Sequence, residues 1–448
     1  MLQRLKKFFR RNSSTSNHHV RRIPADRHPL SPETISPGAR EVVASLTKAG
    51  HQALVVGGCV RDTLLGKQVK DFDVATDATP EQVRALFRRA RIIGRRFRIV
   101  HVHCGRELVE VTTFRAAHGD STPQTPRGNL ARSNGRGMLL RDNVFGSLEE
   151  DAQRRDFTVN AIYYDPTRGE LLDFVEGFKD IANRSLRIIG DPSTRFREDP
   201  VRMLRAARFQ AKLGFVLHPA TAAPLPQSRL LLNEVPPARL FDELVKLLMT
   251  GHALASYEAL CEHDLLELLL PDTARVMAEP RWDRFLRQAL ANTDQRIAND
   301  QRVTPAFLFG ALLWPPIVAR LERIQATTAD AQALGQAASE VITRTVRKVA
   351  IPRRFSTTAR EIWELQPRLE RPTRHTAEQL LAHPRFRAGY DFLLLREQSG
   401  EDLGGMGAWW TRFQELAEDD RQAVAAVLGA APKRRRSRRR RPSAQAGE

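Results

Sequence analysis

The spacing of hydrophobic residues in the first third of the chain predicts short strands and helices in alternation. "AREVVASLTKAG" (39–50) has apolar residues at helical spacing and ends on glycine, a common residue after a helix. "QALVVGG" (52–58) and "DFDVAT" (71–76) are apolar runs of strand length. A second helix is predicted over 79–90, where threonine and proline suit the N-cap and the first helical position.

Two further β-rich runs follow this helix. "FRIVHVHC" (97–104) and "ELVEVTTF" (107–114) are joined by Gly-Arg and predict a hairpin. From about Pro200 to residue 425 the pattern is mostly helical. The predicted fold class is therefore α+β, with a small mixed sheet in the head and helical regions after it.

The composition of successive segments suggests five regions. The predicted boundaries are 1–34 for a basic flexible arm, 35–190 for the sheet-containing head, 191–270 for a helical neck, 271–425 for a helical body and tail, and 426–448 for a disordered polybasic tail. Within the head, residues 117–137 are rich in Gly, Pro and Ser and predict a long flexible loop.

The charge of the chain restricts its partners. The formal net charge is +19, and eight of the nine residues in 433–441 are Lys or Arg. Such an excess favours polyanions, which means nucleic acid or an anionic membrane. Residues 1–11 could form a basic amphipathic helix at a membrane surface, but a solvated terminus is favoured over membrane contact.

The three cysteines, Cys59, Cys104 and Cys261, are far apart and have neither zinc-ligand nor redox spacing. This usage fits a reducing compartment, and the start of the chain has no apolar core of signal-peptide length. The predicted location is the cytoplasm.

Two aspartates in "DFDVAT" are the first candidate chemistry. Asp71 and Asp73 would share one face of a strand, and two close carboxylates are costly unless a cation lies between them. Mg²⁺, or Mn²⁺ in its place, takes few protein carboxylates together with substrate phosphates. Such a site usually takes a third carboxylate from a neighbouring strand, and Glu110 is a better candidate than Glu107 because apolar residues flank it.

The glycine pair before these aspartates suggests a phosphate site. Gly57 and Gly58 follow a predicted strand, so backbone N–H groups can approach a phosphate, and Arg61 adds charge nearby. The stretch is not a P-loop, because the Lys67 that follows Gly66 is followed by Gln68. An ordinary turn remains the alternative.

Two later motifs combine polar residues with apolar surroundings. "RRDFTVNAIYYD" (154–165) includes Asp156 and Asn160, which a ribose or an internal hydrogen-bond network could satisfy. "REDPVRMLRAARF" (197–209) places Asp199 and Arg202 three residues apart, as an acceptor and a donor that could match a base edge. A surface ion pair at a helix start is the simpler interpretation of the second motif alone.

Taken in order, these stretches resemble the class II nucleotidyltransferases that extend RNA 3′ ends. This branch comprises the bacterial poly(A) polymerases and the tRNA CCA-adding enzymes, within the polymerase β-like superfamily. The motifs that support the resemblance are "VGGCVRDTLLG", "KDFDVAT", "VEVTTFR", "RRDFTVNAI" and "REDPVRMLRAARF", and they lie within about residues 36–250.

The resemblance implies roles for the candidate residues. Asp71 and Asp73 would bind the metal ions and Glu110 would assist them. The triphosphate would be held by Gly57, Gly58 and Arg61, the ribose would lie near Asp156 and Asn160, and the incoming base would be read by Asp199 and Arg202. Arg115 would also approach the nucleotide.

Within this branch, the sequence favours a poly(A) polymerase, which adds AMP from ATP to RNA 3′ ends. The arm, the basic tail and sequence segments such as "RRARIIGRRFRIVHV" support this choice. The alternatives are a CCA-adding enzyme and a non-catalytic RNA-binding protein with a relic head. The expected partners are RNA 3′ ends and ATP, and RNA-decay proteins are candidate protein partners.

Overall fold

The computed structural model describes residues 20–94, 98–116, 132–133, 139–141, 144–324, 330–426 and 428. The chain divides into two compact units, Met1–Pro271 and Asp272–Glu448. This division lies one residue from the predicted boundary between neck and body.

The strands of the described residues all lie in the first unit. They are β1 Arg21–Ile23, β2 Ala53–Val56, β3 Asp73–Thr76, β4 Ala90–Ile93, β5 Ile99–Cys104, β6 Glu107–Thr113, β7 Arg132–Ser133, β8 Leu139–Arg141, β9 Ile162–Asp165, β10 Glu170–Asp173, β11 Ser185–Leu186 and β12 Val216–Leu217.

The helices of the first unit lie between its strands and after the last of them. They are α1 Pro37–Lys48, α2 Gly58–Leu64, α3 Pro80–Leu86, α4 Leu148–Arg154, α5 Gly177–Asn183, α6 Pro192–Glu198, α7 Val201–Leu213, α8 Pro219–Ala222, α9 Leu225–Ser228, α10 Pro237–Leu248, α11 Ala253–Glu262 and α12 Leu266–Leu269. Short 3₁₀ turns occur at Ala25–Arg27, Pro32–Thr34, Thr158–Asn160 and Arg229–Glu234.

The second unit is helical throughout its described residues. Its helices are α13 Pro271–Val276, which begins on the last residue of the first unit, α14 Pro280–Ala298, α15 Pro305–Ile324, α16 Asp330–Lys348, α17 Arg353–Glu370, α18 Ala377–Leu381, α19 Phe386–Gln398, α20 Met406–Glu415 and α21 Glu418–Ala426. Together with the sheet of the first unit, this confirms the predicted α+β fold class.

Eight strands form one mixed sheet in the order β1-β10-β9-β2-β3-β6-β5-β4. β3 and β6 pair in parallel, and the other neighbouring pairs of this sheet are antiparallel. β2 lies near the centre, and its four apolar residues are buried, as expected for a strand covered on both faces.

Helix α1 covers one face of this sheet, and its start is fixed by two capping contacts. The Ser36 hydroxyl accepts a hydrogen bond from the Ala39 amide, as an N-cap residue does. The Glu107 carboxylate of β6 accepts from the Ser36 hydroxyl and, at 3.0 Å, from the Gly38 amide. Glu107 therefore has a structural partner, which agrees with the preference for Glu110 as the candidate site residue.

The predicted flexible arm extends too far into the chain. β1 pairs with β10, and Ile23 and Leu30 are buried, so residues 20–34 belong to the folded head. The sequence of this segment is polar and basic overall, and its two buried aliphatic residues are too widely spaced to form a recognisable period. The part of the predicted arm before residue 20 lies outside the described residues.

The helix predicted over 79–90 is confirmed at its start and wrong at its end. Thr79 caps α3 with a complete capping box, but the helix ends at Leu86. Phe87 is extended, and the chain then enters β4, where β-branched Ile92 and Ile93 pair with β5. The hairpin of β5 and β6 is confirmed, while the hairpin of β9 and β10 was not predicted.

Two predicted flexible regions fall mostly outside the described residues. These are the loop at 117–137, of which only Arg132–Ser133 is described, and the tail at 426–448. Among the helices that the structure does describe, none combines the length and the apolar character needed to cross a membrane.

The second unit has an aromatic core in which two tryptophans form hydrogen bonds to backbone carbonyls. Trp363 and Trp410 are fully buried, and their indole N–H groups donate to the carbonyls of Gly310 at 3.0 Å and Leu369 at 2.9 Å. Tryptophan is tolerated in a core when its N–H finds such an acceptor.

The position of residues 20–34 can be tested by truncating one buried side chain. Leu30→Ala should lower the free energy of unfolding by about 2–4 kcal/mol, because it leaves a cavity at a residue that is 3% exposed. Arg22→Ala, on an exposed residue of the same segment, should change it by less than about 0.5 kcal/mol. Equal stability of the two variants in urea unfolding would mean that the segment is a free arm.

Candidate active site

The first glycine of the pair brings the backbone close to charged side chains. Gly57 follows β2 with φ +88° and ψ −137°, a conformation that residues with a Cβ rarely adopt. A Cβ built on it would lie 3.7 Å from both Arg155 Nη1 and Asp73 Oδ2. Gly58 is the first residue of α2.

The candidate carboxylates lie at the start of β3 and in the middle of β6. Asp73 is in register with Glu110 on the neighbouring parallel strand, so the two side chains share one face of the sheet. Asp71 precedes the first residue of β3 and is separated from Asp73 by the buried Phe72, so the strand assumed in the sequence analysis begins only at Asp73.

Asp71 is nevertheless close enough to act on Asp73 electrostatically. Burial, the charge of Glu110 and that of Asp71 raise the pKa of Asp73 to about 6, while Arg155 opposes this shift. The group of carboxylates that the sequence predicted is therefore formed, with Asp73 as its most buried member.

A histidine that was not among the predicted site residues lies next to these carboxylates. His101 of β5 is in register with Glu110, and its Nε2 lies 3.3 Å from Glu110 Oε1. This is an ion pair only when the imidazole is protonated, and the two atoms do not have hydrogen-bond geometry. In the sequence, only its alternation with His103 in "HVHC" distinguished this residue from the other polar residues of the strand.

Arg155 is the cation that faces Asp73 and Gly57. Its Nε donates to the Tyr163 hydroxyl at 3.0 Å and to Asp151 Oδ2 at 3.2 Å, and its Nη2 donates to the same oxygen at 3.1 Å. The Tyr163 hydroxyl in turn donates to Asp151 at 2.6 Å. These contacts fix the guanidinium, which sequence analysis had left among the polar residues of "RRDFTVNAIYYD" without a role.

A second group of buried charges links α2 to α7 through Asp156. Asp156 accepts from the Phe157 amide at 2.8 Å, from Asn160 Nδ2 at 3.1 Å and from Arg205 Nε at 2.8 Å. Burial alone would raise the pKa of Asp156, but Arg205 and these hydrogen bonds hold it below its ordinary value. Asp156 and Asn160 thus belong to an internal hydrogen-bond network, which was the alternative to a ribose contact in the sequence analysis, and their role at a ribose stays a prediction.

Arg61 lies beside the glycine pair, as predicted, but its side chain is buried. A Cβ built on Gly58 would lie 3.5 Å from Arg61 Nη2. Arg61 is 2% exposed, donates from Nη1 to Asn160 Oδ1 and from Nε to Asp62 at 2.8 Å, and its guanidinium carbon lies 5.4 Å from the centroid of the Phe209 ring. Arg61 therefore holds Asn160 and the start of α2 in place, and its contact with a triphosphate stays a prediction.

Several arginines lie close together around one carboxylate, Glu198. Burial and the positive charges of Arg115, Arg195 and Arg202 lower the pKa of Arg154 to about 9. Glu198 accepts from Arg195 at 2.8 Å and from Arg202 at 3.1 Å. The pKa of Arg154 is lowered even though Glu198 lies nearby, so an anion bound beside Arg154 would be stabilised.

The predicted base-reading pair is held by other partners. Asp199 lies between α6 and α7, and both of its oxygens accept from Arg239 of α10 at 2.6 Å. Arg202 donates to the Arg195 carbonyl at 2.8 Å as well as to Glu198. Sequence analysis missed Arg239, because nothing in "PPARLFDELVKLLMTGH" marks one arginine of an amphipathic helix.

Comparisons with known proteins agree with this arrangement. A family model described as "Poly A polymerase head domain" matches residues 53–187. Models described as "Probable RNA and SrmB- binding site of polymerase A" and "Polymerase A arginine-rich C-terminus" match 214–277 and 326–443. The chain is also 47% identical over 419 residues to "Poly(A) polymerase I" of Escherichia coli O6:H1, covering 92% of this chain and 89% of the relative.

The chain belongs to the bacterial poly(A) polymerase family. The resemblance inferred from the motifs is thereby confirmed, and so is the assignment of the chain as a nucleotidyltransferase.

CCA-adding enzymes are the more distant neighbours of this poly(A) polymerase family member. The "CCA-adding enzyme" of Bacillus subtilis is 37% identical over 231 residues, covering 52% of this chain and 55% of the relative. A crystal structure of the Bacillus stearothermophilus CCA-adding enzyme in complex with CTP is 28% identical, covers 89% of this chain and 90% of that chain, and has a TM-score of 0.54. The likeness to curated poly(A) polymerases is therefore both longer and stronger.

The raised pKa of Asp73 predicts a pH-dependent gain of stability for Asp73→Asn. A carboxyl whose pKa is raised on folding destabilises the protein above that pKa, and the cost disappears as pH falls below the unfolded value. With metal chelated by EDTA, the variant should be more stable than wild type at pH 7.5 by about 1–3 kcal/mol, and the gap should narrow from about pH 6 towards pH 4.

The matched control for this measurement is Asp26→Asn, on an exposed aspartate of the same unit. Urea unfolding at a series of pH values should show no comparable gain for the control. A stability gap for Asp73→Asn that does not change with pH, or that has the opposite sign, would contradict the proximity of the carboxylates.

Proposed function

We propose that this chain is a template-independent RNA 3′-end adenylyltransferase, which transfers AMP from ATP to the 3′-OH of RNA and releases pyrophosphate. The main support is the 47% identity to a curated poly(A) polymerase over 92% of the chain. The carboxylates of β3 and β6 are present and in register, which disfavours a relic head in a non-catalytic RNA-binding protein.

The carboxylate group fits divalent metal ions. Asp71, Asp73 and Glu110 offer only hard oxygen donors, and the raised pKa of Asp73 reports negative charge that a cation would relieve. Within the described ranges, no group of three or more His, Cys, Asp or Glu side chains is arranged so that it could hold a metal ion by itself. Mg²⁺ keeps several waters and takes substrate phosphates as ligands, so a complete protein cage is not required.

Asp71 and Asp73 would hold Mg²⁺ or Mn²⁺, with Glu110 assisting. The ions would supply Lewis acidity at the attacking hydroxyl and at the leaving phosphate. The contribution of the protein is to place these carboxylates next to the Gly57 backbone, where the α-phosphate of ATP would lie.

The triphosphate is assigned to the backbone of Gly57 and Gly58, with Arg61 beside them, and to nearby guanidiniums. Arg155 is fixed by Asp151 and Tyr163 and points Nη1 towards Gly57. Arg154 is a second candidate, because burial and neighbouring positive charges lower its pKa and an anion would relieve both. Charge-assisted hydrogen bonds from such pre-oriented groups stabilise phosphate oxygens without reorganisation.

The ribose is assigned to the neighbourhood of Asp156 and Asn160. Asp156 is held by Arg205 and Asn160 is held by Arg61. Their role would be to form the base of the ribose site and to present polar atoms in fixed positions. The base is assigned to Asp199 and Arg202. Arg239 holds both oxygens of Asp199, and their remaining lone pairs can accept from an exocyclic amine.

RNA contacts outside the site are assigned to basic segments. The arginine-rich C-terminal model covers 326–443, which includes most of the polybasic run. Non-specific lysine and arginine contacts suit an enzyme that extends many RNAs. We assign the protein to the cytoplasm, where its three free cysteines would stay reduced, and leave RNA-decay proteins as candidate partners.

The nucleotide and primer preferences separate the proposed function from the CCA-adding alternative. ATP alone should extend a generic RNA into a long heterogeneous ladder. UTP and GTP should fail, because their base edges present a carbonyl and an N–H where adenine presents an amine and a ring nitrogen, and each mismatched buried group costs about 1–3 kcal/mol. Primer extension on a generic RNA and on a tRNA lacking its 3′ end, with each nucleotide alone and with ATP plus CTP, measures this.

The negative control is Asp73→Asn, which should reduce incorporation by about 10³-fold or more, since a charge contact at a reacting phosphate contributes several kcal/mol. Arrest after two cytidines and one adenosine, on the tRNA only, would overturn the proposal in favour of the CCA-adding activity. Activity in the Asp73→Asn protein equal to wild type would overturn the assignment of the carboxylates.

A further inference from the structure

Among the described residues, one face of the sheet is partly exposed where the sheet ends at β4. Along β5 and β6, alternate side chains are buried against the helices, and these are Val100, Val102, Val109 and Val111. The side chains of the residues that alternate with these valines point to the other face of the sheet. There His103 and Leu108 are exposed and His101 is half-buried.

A row of side chains crosses this face towards the carboxylates. Arg91 of β4 is in register with His101, His101 with Glu110, and Glu110 with Asp73. In-register neighbours point to the same side, so the four side chains share one face. Three strand spacings, about 14 Å, separate Arg91 from Asp73.

A second row lies beside the first. The His103 amide donates to the Arg89 carbonyl at 3.0 Å, and His103 is in register with Leu108. Since these residues are two positions from the first row, they lie on the same face. We call the exposed surface formed by Arg89, Arg91, His101, His103 and Leu108 the open face.

The charge of the open face is positive and unbalanced. Arg89 and Arg91 are exposed, and within the described part of the chain neither forms an ion pair with a carboxylate. β4, β5 and β6 contain only two acidic residues, Glu107 and Glu110. Glu107 points to the other face, where it caps α1, and Glu110 already neighbours His101.

The open face also presents apolar groups between its cations. Leu108 is 39% exposed, and Ile93, at the end of β4, is 36% exposed. A groove that tracks a nucleic-acid backbone with cations and offers apolar surface to unstacked bases is typical of single-strand binding. Arg88 precedes Arg89, and its guanidinium adds to the charge at this edge of the sheet.

We propose that the open face binds the RNA strand just upstream of its 3′ end, with Arg89 and Arg91 on backbone phosphates. The inference rests on the proposed function, because the row ends at the carboxylates where the 3′-OH must lie. It adds a binding surface on the head to the basic segments of the neck and C-terminus. A protein strand pairing with the free edge of β4 is less favoured, since the exposed cations suit a polyanion.

The test compares two double variants of the full chain. Arg89→Ala/Arg91→Ala removes the two cations of the open face. Arg40→Ala/Arg168→Ala is the matched control, because it removes two exposed arginines of the same unit, on α1 and on the turn after β9. Binding of a short 5′-fluorescein oligoadenylate is followed by anisotropy in EDTA without ATP, from about 50 to 200 mM salt.

The open-face variant should bind RNA more weakly and with a flatter salt dependence. Removing one phosphate contact lowers the slope by about 0.7, which corresponds to roughly 5-fold in Kd at 0.1 M salt, so removing two gives roughly 25-fold. The control should match wild type. In primer extension, the KM for RNA should rise in the open-face variant while the KM for ATP stays at the wild-type value.

A photo-crosslinking nucleotide placed near the 3′ end locates the contact. Mass spectrometry should find its cross-links on residues 89–108. An unchanged Kd and slope in the open-face variant, in a preparation whose wild type extends RNA with ATP, would overturn this inference alone and is the result expected if the face binds a protein. A wild-type protein that binds RNA but incorporates no AMP would overturn the proposed function, not the binding surface.

Discussion

The parallel pairing of β3 with β6 is the constraint on which the rest of the site depends. It is the one parallel pair among the described strands of the large sheet, and it sets Asp73 beside Glu110. A parallel pair needs a crossover, which here consists of α3, β4 and β5. The same crossover creates the open face, so the carboxylates and the proposed RNA path arise from one topological feature.

Placing two carboxylates together has an electrostatic cost, and the head offsets it with fixed cations. Arg155 faces Asp73 and is held by Asp151 and Tyr163. The offset is incomplete, because the pKa of Asp73 stays raised to about 6. Positive charge is in excess around Arg154, where burial and the neighbouring guanidiniums of Arg115, Arg195 and Arg202 lower its pKa to about 9. A metal complex of ATP, with cations at one end and phosphates at the other, would relieve both.

The sequence predicted contacts correctly where both residues lie in one motif or in neighbouring predicted elements. The glycine pair, the row of Asp73 and Glu110, and the contact of Asp156 with Asn160 all arise within single elements or between predicted neighbours. Contacts set by the tertiary fold were not readable. Arg239 lies 40 residues from Asp199, and no local pattern predicts that they meet.

The failures have similar physical causes. Arg61 lies beside the glycines as expected, but its burial against Asn160 was not predicted, because that contact joins residues 99 positions apart. Residues 88–90 were expected in a helix because arginine and alanine favour one, yet residues 88–89 form a turn and Ala90 begins the pairing with β5. Residues 20–34 were expected to be free because two buried aliphatic side chains are too few to reveal a packed segment.

A structure of the protein with a non-hydrolysable ATP analogue and Mg²⁺ tests the central claim most directly. The account predicts metal density at Asp71 and Asp73, phosphate oxygens within hydrogen-bond distance of the Gly57–Gly58 backbone and Arg155, and the adenine edge at Asp199 and Arg202. A nucleotide bound elsewhere in the head, or metal ions that leave Asp73 without a ligand contact, would contradict it.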